Sequence, residues 1–206
     1  MVPGTKGSCA CVIFDFGGVI SHPQRPQFMA EAAAMAGADV PALRDAYRRH
    51  RGEYDRGAFD GHAYWRKVLS EAGPGDPRAG VEELIALDTL SWTAINDRVL
   101  DAVRGVGARG YRLAVLSNMP FDIGRYIRRE FAWLELFEEV TFSCEVGVIK
   151  PEPAIYAHAL RRLGLAASEC LFVDDTEANV AGARAVGLPA VCFRSLADLD
   201  AALDGV

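Results

Sequence analysis

Apolar runs of strand length alternate with amphipathic segments along most of the chain. Cys9 to Phe14, Arg112 to Ser117, Val140 to Phe142, Cys170 to Val173 and Ala190 to Phe193 lack polar alternation. Strands buried on both faces of a parallel sheet have that pattern. Among them, Asp97 to Ala108, Ile123 to Phe131, Pro153 to Leu163, Glu177 to Val186 and Leu196 to Leu203 carry apolar residues at helical spacing. Gly110, Gly164 and Gly187 follow three of these segments, where a left-handed helix stop is expected. The alternation predicts a doubly wound α/β fold built on a parallel sheet.

One stretch interrupts it. From about Pro23 to Ser91 there is no strand pattern, only helical stripes rich in Ala, Arg and Glu. Phe28, Met29, Ala32, Ala33, Met35 and Ala36 form one stripe, and Leu43, Ala46 and Tyr47 a second. Tyr64, Val68 and Leu69 form a third, and Leu84, Leu87 and Leu90 a fourth, with a Gly73-to-Pro77 turn between these two. The expected division is an α/β core over 1–21 and 92–206, with an inserted all-helical cap over 22–91.

Composition narrows the partners. Half of the 206 residues are hydrophobic and 24% are charged, the profile of a globular protein with a sizeable core. A formal net charge of −6 argues against nucleic acid or an anionic membrane as a general partner. No apolar run has the length of a membrane span, and Met1 to Ser8 does not read as a secretory signal. Five scattered cysteines, an odd number without zinc-site spacing, read as reduced thiols of a cytoplasmic protein. A monomer and a homodimer are both compatible with these features.

In open parallel sheets, ligands bind beyond the carboxyl ends of the strands. The successive strands run into Asp15-Phe16-Gly17-Gly18, then Ser117-Asn118, then, through a short loop, Lys150-Pro151, and then Asp174-Asp175. Each element alone is ordinary, since an acid after a strand is often a turn or cap residue. Together they place three carboxylates, a hydroxyl and a lysine at one sheet edge. Asp15 and Asp174 as hard oxygen donors suit Mg²⁺. Ser117 and Lys150 suit the remaining oxygens of a phosphoryl group. Gly17 and Gly18 leave the backbone free to approach the metal and ligand closely. A carboxylate nucleophile would divide one hard hydrolysis into two displacements.

With these residues in order, the chain resembles the haloacid dehalogenase-like hydrolase superfamily, in the subfamily with a helical cap after the first motif. FDFGGVI ending at Ile20, LSN ending at Asn118, Lys150 in GVIKPEPAIY and VDDTEAN ending at Asn179 look like its four motifs. The resemblance implies Asp15 as nucleophile, with Ser117 and Lys150 as phosphate binders. It implies Mg²⁺ held by Asp15, Asp174 and the backbone of Gly17, with Asp175 orienting metal-bound water. The expected substrate is a small phosphorylated metabolite, a sugar phosphate among the candidates. Gly18, Asn118 and His22 are further candidates for contact with it.

One position departs from the family pattern. Where its phosphatases usually carry a second aspartate as general acid and base, this chain has Gly17. Such help is worth about two to four orders of magnitude in rate. Three readings compete: a leaving group that needs little protonation, another proton donor such as His22 or a cap residue, or a protein that retains the ligand site as a non-catalytic binding module. A 2-haloacid dehalogenase-type reaction is the alternative chemistry, because it needs no leaving-group acid. Against it stands the Asp174-Asp175 pair, which would repel Asp15 without a cation. In the cap, Arg48 to Arg51 reads as a solvated helix face, Tyr47, Tyr64 and Trp65 as core, and Arg25 as a weaker anion candidate.

Overall fold

The computed structural model describes residues 9–73 and 80–205. Five parallel strands form one sheet: β1 (Cys11–Phe14), β2 (Arg112–Ser117), β3 (Glu139–Phe142), β4 (Cys170–Asp174) and β5 (Ala190–Cys192). Their spatial order is β3-β2-β1-β4-β5, so β1, with its following loop, is central. The expected α/β class and parallel sheet are thus observed. The first strand begins at Cys11 rather than Cys9, although Ala10 already donates its N–H to Glu169 O and accepts from Arg112 N.

Strand alternation divides the core into two layers. Val12 and Phe14 point to the face covered by α5 (Asp97–Ala108), α6 (Phe121–Glu130) and α10 (Leu196–Asp204). Cys11 and Ile13 point to the face covered by α8 (Pro153–Leu163) and α9 (Glu177–Ala185). Both faces of β1 are therefore fully buried, which is why its sequence is apolar without interruption. A short α7 (Ser143–Val146) follows β3.

Residues after β1 enter four helices with an apolar cluster of their own: α1 (Phe28–Ala36), α2 (Val40–Asp55), α3 (Gly61–Ala72) and α4 (Val81–Trp92). Asp39 and Asp60 cap α2 and α3 by accepting from the N–H groups of Ala42 and Ala63 at 3.1 and 2.7 Å. Such caps are worth about 1 kcal/mol each. Phe28, Tyr47, Tyr54, Tyr64 and Trp65 interlock in this cluster, with Tyr54 and Tyr64 stacked at a centroid distance of 4.1 Å. Leu90 departs from the expected fourth stripe. It is 54% exposed, because the inner face of α4 runs through Val81, Leu84, Asp88 and Ser91 instead. Of the expected 73–77 turn, residues 74–77 lie outside the described residues.

The segments entering and leaving these helices run side by side. Ser21 and Ile95 form an antiparallel bridge, His22 N–H donates to Ala94 O, and Asn96 N–H to Ile20 O. Three contacts then fix the end of α2 over the sheet edge. Ser143 Oγ donates to Asp55 O at 2.5 Å, Tyr54 Oη to Asp122 Oδ2 at 2.9 Å, and Arg56 Nη2 to Glu152 Oε1 at 2.8 Å. No described helix is long and apolar enough to cross a membrane.

Candidate active site

A cavity of about 330 Å³ opens at the carboxyl ends of β1, β2 and β4. Asp15, Gly17, Ser117, Asn118, Lys150 and Asp175 line it from the sheet side, and Arg51, Asp55 and Trp92 from the helical segment.

Lys150 is the hub of the floor. Its Nζ lies 2.9 Å from Asp15 Oδ1 and 2.7 Å from Asp174 Oδ2, and donates to Leu116 O at 2.9 Å. All three of its hydrogen-bonding directions are therefore used. Asn118 sets this position from behind, since its side chain donates to Lys150 O at 2.9 Å and accepts from Lys150 N at 2.7 Å. The lysine is 2% exposed. Burial alone would push its ammonium pKa down, but the two carboxylates more than offset that and hold it above the usual lysine value.

Asp15 is the first residue beyond β1. Its own N–H donates to Val173 O, and its Oδ1 accepts from Phe16 N at 2.7 Å. Burial pushes its pKa up to about 7, with Lys150 opposing and Asp174 adding to the rise. Asp174 is fully buried and heavily bonded: Thr176 N donates to Oδ1 at 2.8 Å, and Asn179 Nδ2 lies 3.1 Å from both oxygens. Burial, then Asp174, raises the Asp175 carboxyl as well.

Oxygen atoms of Asp15, Asp174 and Asp175 all lie within 4.8 Å of one another. Three carboxylates with one buried ammonium leave excess negative charge, which suits a hard divalent cation with oxygen ligands. The residues therefore fit Mg²⁺. Gly18 makes the arrangement sterically possible. Its φ is +76°, and a Cβ there would stand 2.1 Å from Asp175 Oδ2.

The structure brings Asp15, Gly17, Ser117, Asn118, Lys150 and Asp175 to one cavity, with Asp174 directly beneath and Gly18 beside Asp175. It does not bring His22 there. The Ser21–Ile95 bridge turns Ser21 inward and leaves His22 exposed, away from the residues that line the cavity. Arg25 pairs with Glu31 at the surface.

Arg51 is a further correction, for it is not solvated. It lies on the buried stripe of α2 with Leu43, Tyr47 and Tyr54, and donates from Nε to Asp55 Oδ1 at 2.7 Å and from Nη1 to Tyr47 Oη. Its guanidinium stands 5.4 Å from the Trp92 ring centroid. Burial raises the Asp55 carboxyl, with Arg51 pulling the other way. Arg51, Asp55 and Trp92 are the cavity residues that motif reading misses. Extending the stripe 43, 47 by helical steps to 51 and 55 would have found the first two.

Trp92 stands beside Gly17, and a Cβ on Gly17 would touch its ring at 3.4 and 3.5 Å, in ordinary van der Waals contact.

A family model described as haloacid dehalogenase-like hydrolase matches residues 9–187. Phosphoglycolate phosphatase of Rhodospirillum rubrum is 27% identical over 186 residues, covering 87% of this chain and 77% of that protein. Ribulose-1,5-bisphosphate 5-phosphatase of Halopiger xanaduensis is 28% identical over 211 residues, covering 92% and 87%. Among solved structures, a HAD family enzyme of Bacteroides thetaiotaomicron, in complex with magnesium and inorganic phosphate, superposes with a TM-score of 0.73. It is 18% identical, and the match covers 89% of this chain and 93% of that one.

Proposed function

We propose, from the premise that the chain belongs to the haloacid dehalogenase-like hydrolase family, that it is a phosphatase of small phosphorylated metabolites. The observation that carries this reading is the convergence of Asp15, Asp174 and Asp175 at a floor whose single lysine cannot neutralise all three. Phosphatase names among its relatives support it.

In this mechanism Asp15 is the nucleophile. Its carboxylate oxygen bonds to phosphorus as the P–O bond to the ester oxygen breaks, which gives an aspartyl phosphate and an alkoxide that takes its proton from solvent water. Water then attacks the same phosphorus, releasing inorganic phosphate and restoring the carboxylate. Lys150 holds Asp15 in one orientation and supplies positive charge at the floor, while Ser117 offers a hydroxyl to a phosphoryl oxygen. Mg²⁺ held by Asp15, Asp174, Asp175 and the backbone of Gly17 would let the carboxylates stay ionised and offset phosphoryl charge. Residues 22–91 act as the cap: α2 and the end of α4 shield the floor from water. The five free thiols suit a cytoplasmic setting.

The test is a phosphatase screen of the purified protein with Mg²⁺ and with chelator, beside Asp15→Asn. Metal-dependent turnover that the substitution abolishes supports the reading. Turnover of 2-haloacids surviving chelation transfers it to dehalogenase chemistry. Phosphate-analogue binding without turnover of any substrate makes the chain a binding module.

A further inference from the structure

We infer that the cavity selects phosphomonoesters whose leaving group is uncharged and bears hydroxyls, and discriminates against leaving groups with a second anion. The inference rests on the phosphatase reading and extends it to the substrate's other half.

The floor is built for one anion, with Lys150 and the candidate cation position beneath it. The other half of the substrate must face the roof, and there the charge balance differs. Arg51 is the single cation among the cavity-lining residues of the helical segment. Its charge is already matched: Nε is 2.7 Å from Asp55 Oδ1, and Nη1 is 3.5 Å from Asp88 Oδ1. Tyr47 Oη accepts from the same Nη1 and donates to Asp88 Oδ1 at 2.9 Å. One guanidinium thus faces two buried carboxyl groups, and Asp88 Oδ2 lacks a hydrogen-bond partner among the described residues. Among those residues the roof has no cation free for a second phosphate or carboxylate. An anion placed there would confront the Asp55 carboxylate at low local dielectric.

A hydroxyl meets the opposite situation. Asp55 Oδ2 can accept from it and Arg51 Nη2 can donate to it, and neither atom has a partner among the described residues. A built pair of donor and acceptor recognises hydroxyls and rejects groups that leave it unmatched. Trp92, Met119 and Ile123 add an apolar wall for the carbon skeleton. A volume of about 330 Å³ suits a compact polyol, since small-molecule sites run from roughly 300 to 1,000 Å³.

The experiment measures kcat/KM of the Mg²⁺-loaded protein on two sets of monoesters. Glucose 1-phosphate, glucose 6-phosphate and glycerol phosphate have neutral hydroxylated leaving groups; phosphoglycolate and fructose 1,6-bisphosphate carry a second anion. The expected result is a preference of about tenfold or more for the first set, the size of one unmatched charge contact. Asp55→Asn, which keeps the shape and removes the charge, should move the ratio about tenfold toward the anionic set. Equal or faster turnover of the anionic set by the wild-type protein overturns the inference, whether or not the variant folds. So does a variant that loses activity on both sets equally, because Asp55 would then serve the reaction rather than selection. Absence of turnover on every phosphoester, p-nitrophenyl phosphate included, instead removes the phosphatase reading and the inference with it.

Discussion

Gly18→Ala separates the cost of a strained backbone from the cost of a displaced ligand. At φ +76° an alanine must adopt a left-handed conformation, which costs roughly 1–2 kcal/mol. For a chain of this length that lowers Tm by about 2–8 °C, taking 2–4 °C per kcal/mol. The added Cβ would also lie 2.1 Å from Asp175 Oδ2 and 2.7 Å from its Cγ. Only the carboxylate end can yield, so Asp175 swings away from Asp15 and Asp174. The expected consequence is a loss of about 10–100-fold in Mg²⁺ affinity, in line with losing an atom that tunes a metal site. Two controls isolate the effect. Gly37→Ala has φ +61° with nothing within 4 Å, so it should lower Tm similarly without touching metal affinity. Gly17→Ala has φ −69° and only ordinary contact with Trp92, so it should change neither markedly. Calorimetry for Mg²⁺ and thermal denaturation read the two quantities. Wild-type Mg²⁺ affinity in Gly18→Ala, with Tm lowered as in Gly37→Ala, would refute the claim that Gly18 makes room for Asp175.

Lys150→Met leaves two buried carboxylates without their shared cation, and should cost about 3–5 kcal/mol in urea denaturation. Added Mg²⁺ should recover part of that loss, whereas a loss indifferent to Mg²⁺ speaks against a shared site. In chelator, the Asp15 pKa raised to about 7 makes the folded state bind a proton the unfolded state releases. That contribution is fully present below the ordinary carboxylate value of about 3.9 and lost as pH rises through about 7. The stability of the wild type relative to Asp15→Asn should therefore fall between about pH 4 and pH 8, and a flat difference would contradict the burial argument. Leu84→Ala should cost about 2–5 kcal/mol, because Leu84 is fully buried among the helices. Leu90→Ala, at an exposed position, should stay within about 0.5 kcal/mol, and the reverse order would overturn the register of α4.

How far the sequence discloses the molecule depends on how local each determinant is. The floor is legible because Asp15, Ser117, Lys150 and Asp174 each come after an apolar strand run, and a parallel sheet aligns such ends by construction. Arg112–Ser117 and Pro153–Leu163 coincide with β2 and α8 because period, length and flanking glycine agree. The roof is less legible. Arg51 looks solvated within Arg48-Arg49-His50-Arg51, and its angular position on α2 separates it from the exposed Arg48 and Arg49. Leu90 misleads in the other direction, since apolar spacing in α4 competes with a buried polar stripe at Asp88 and Ser91. His22 sits shortly past the glycine loop, yet one backbone bridge to Ile95 decides its direction.

Gly17 ties floor and roof together. Taken alone, it is a missing acid and an argument against catalysis. Beside it stands the indole of Trp92 at the end of α4, within van der Waals reach of where a Cβ on residue 17 would lie. The same indole supports Arg51, which orients Asp55. The cavity has no carboxyl group at position 17, but one enters it from α2 as Asp55. A substrate whose leaving oxygen departs with little protonation, and whose hydroxyls meet Asp55 and Arg51, satisfies both halves of the cavity at once. On the proposed reading, an anionic leaving group meets a roof where Arg51 is already engaged by the Asp55 and Asp88 carboxyl groups and has no charge left to offer it.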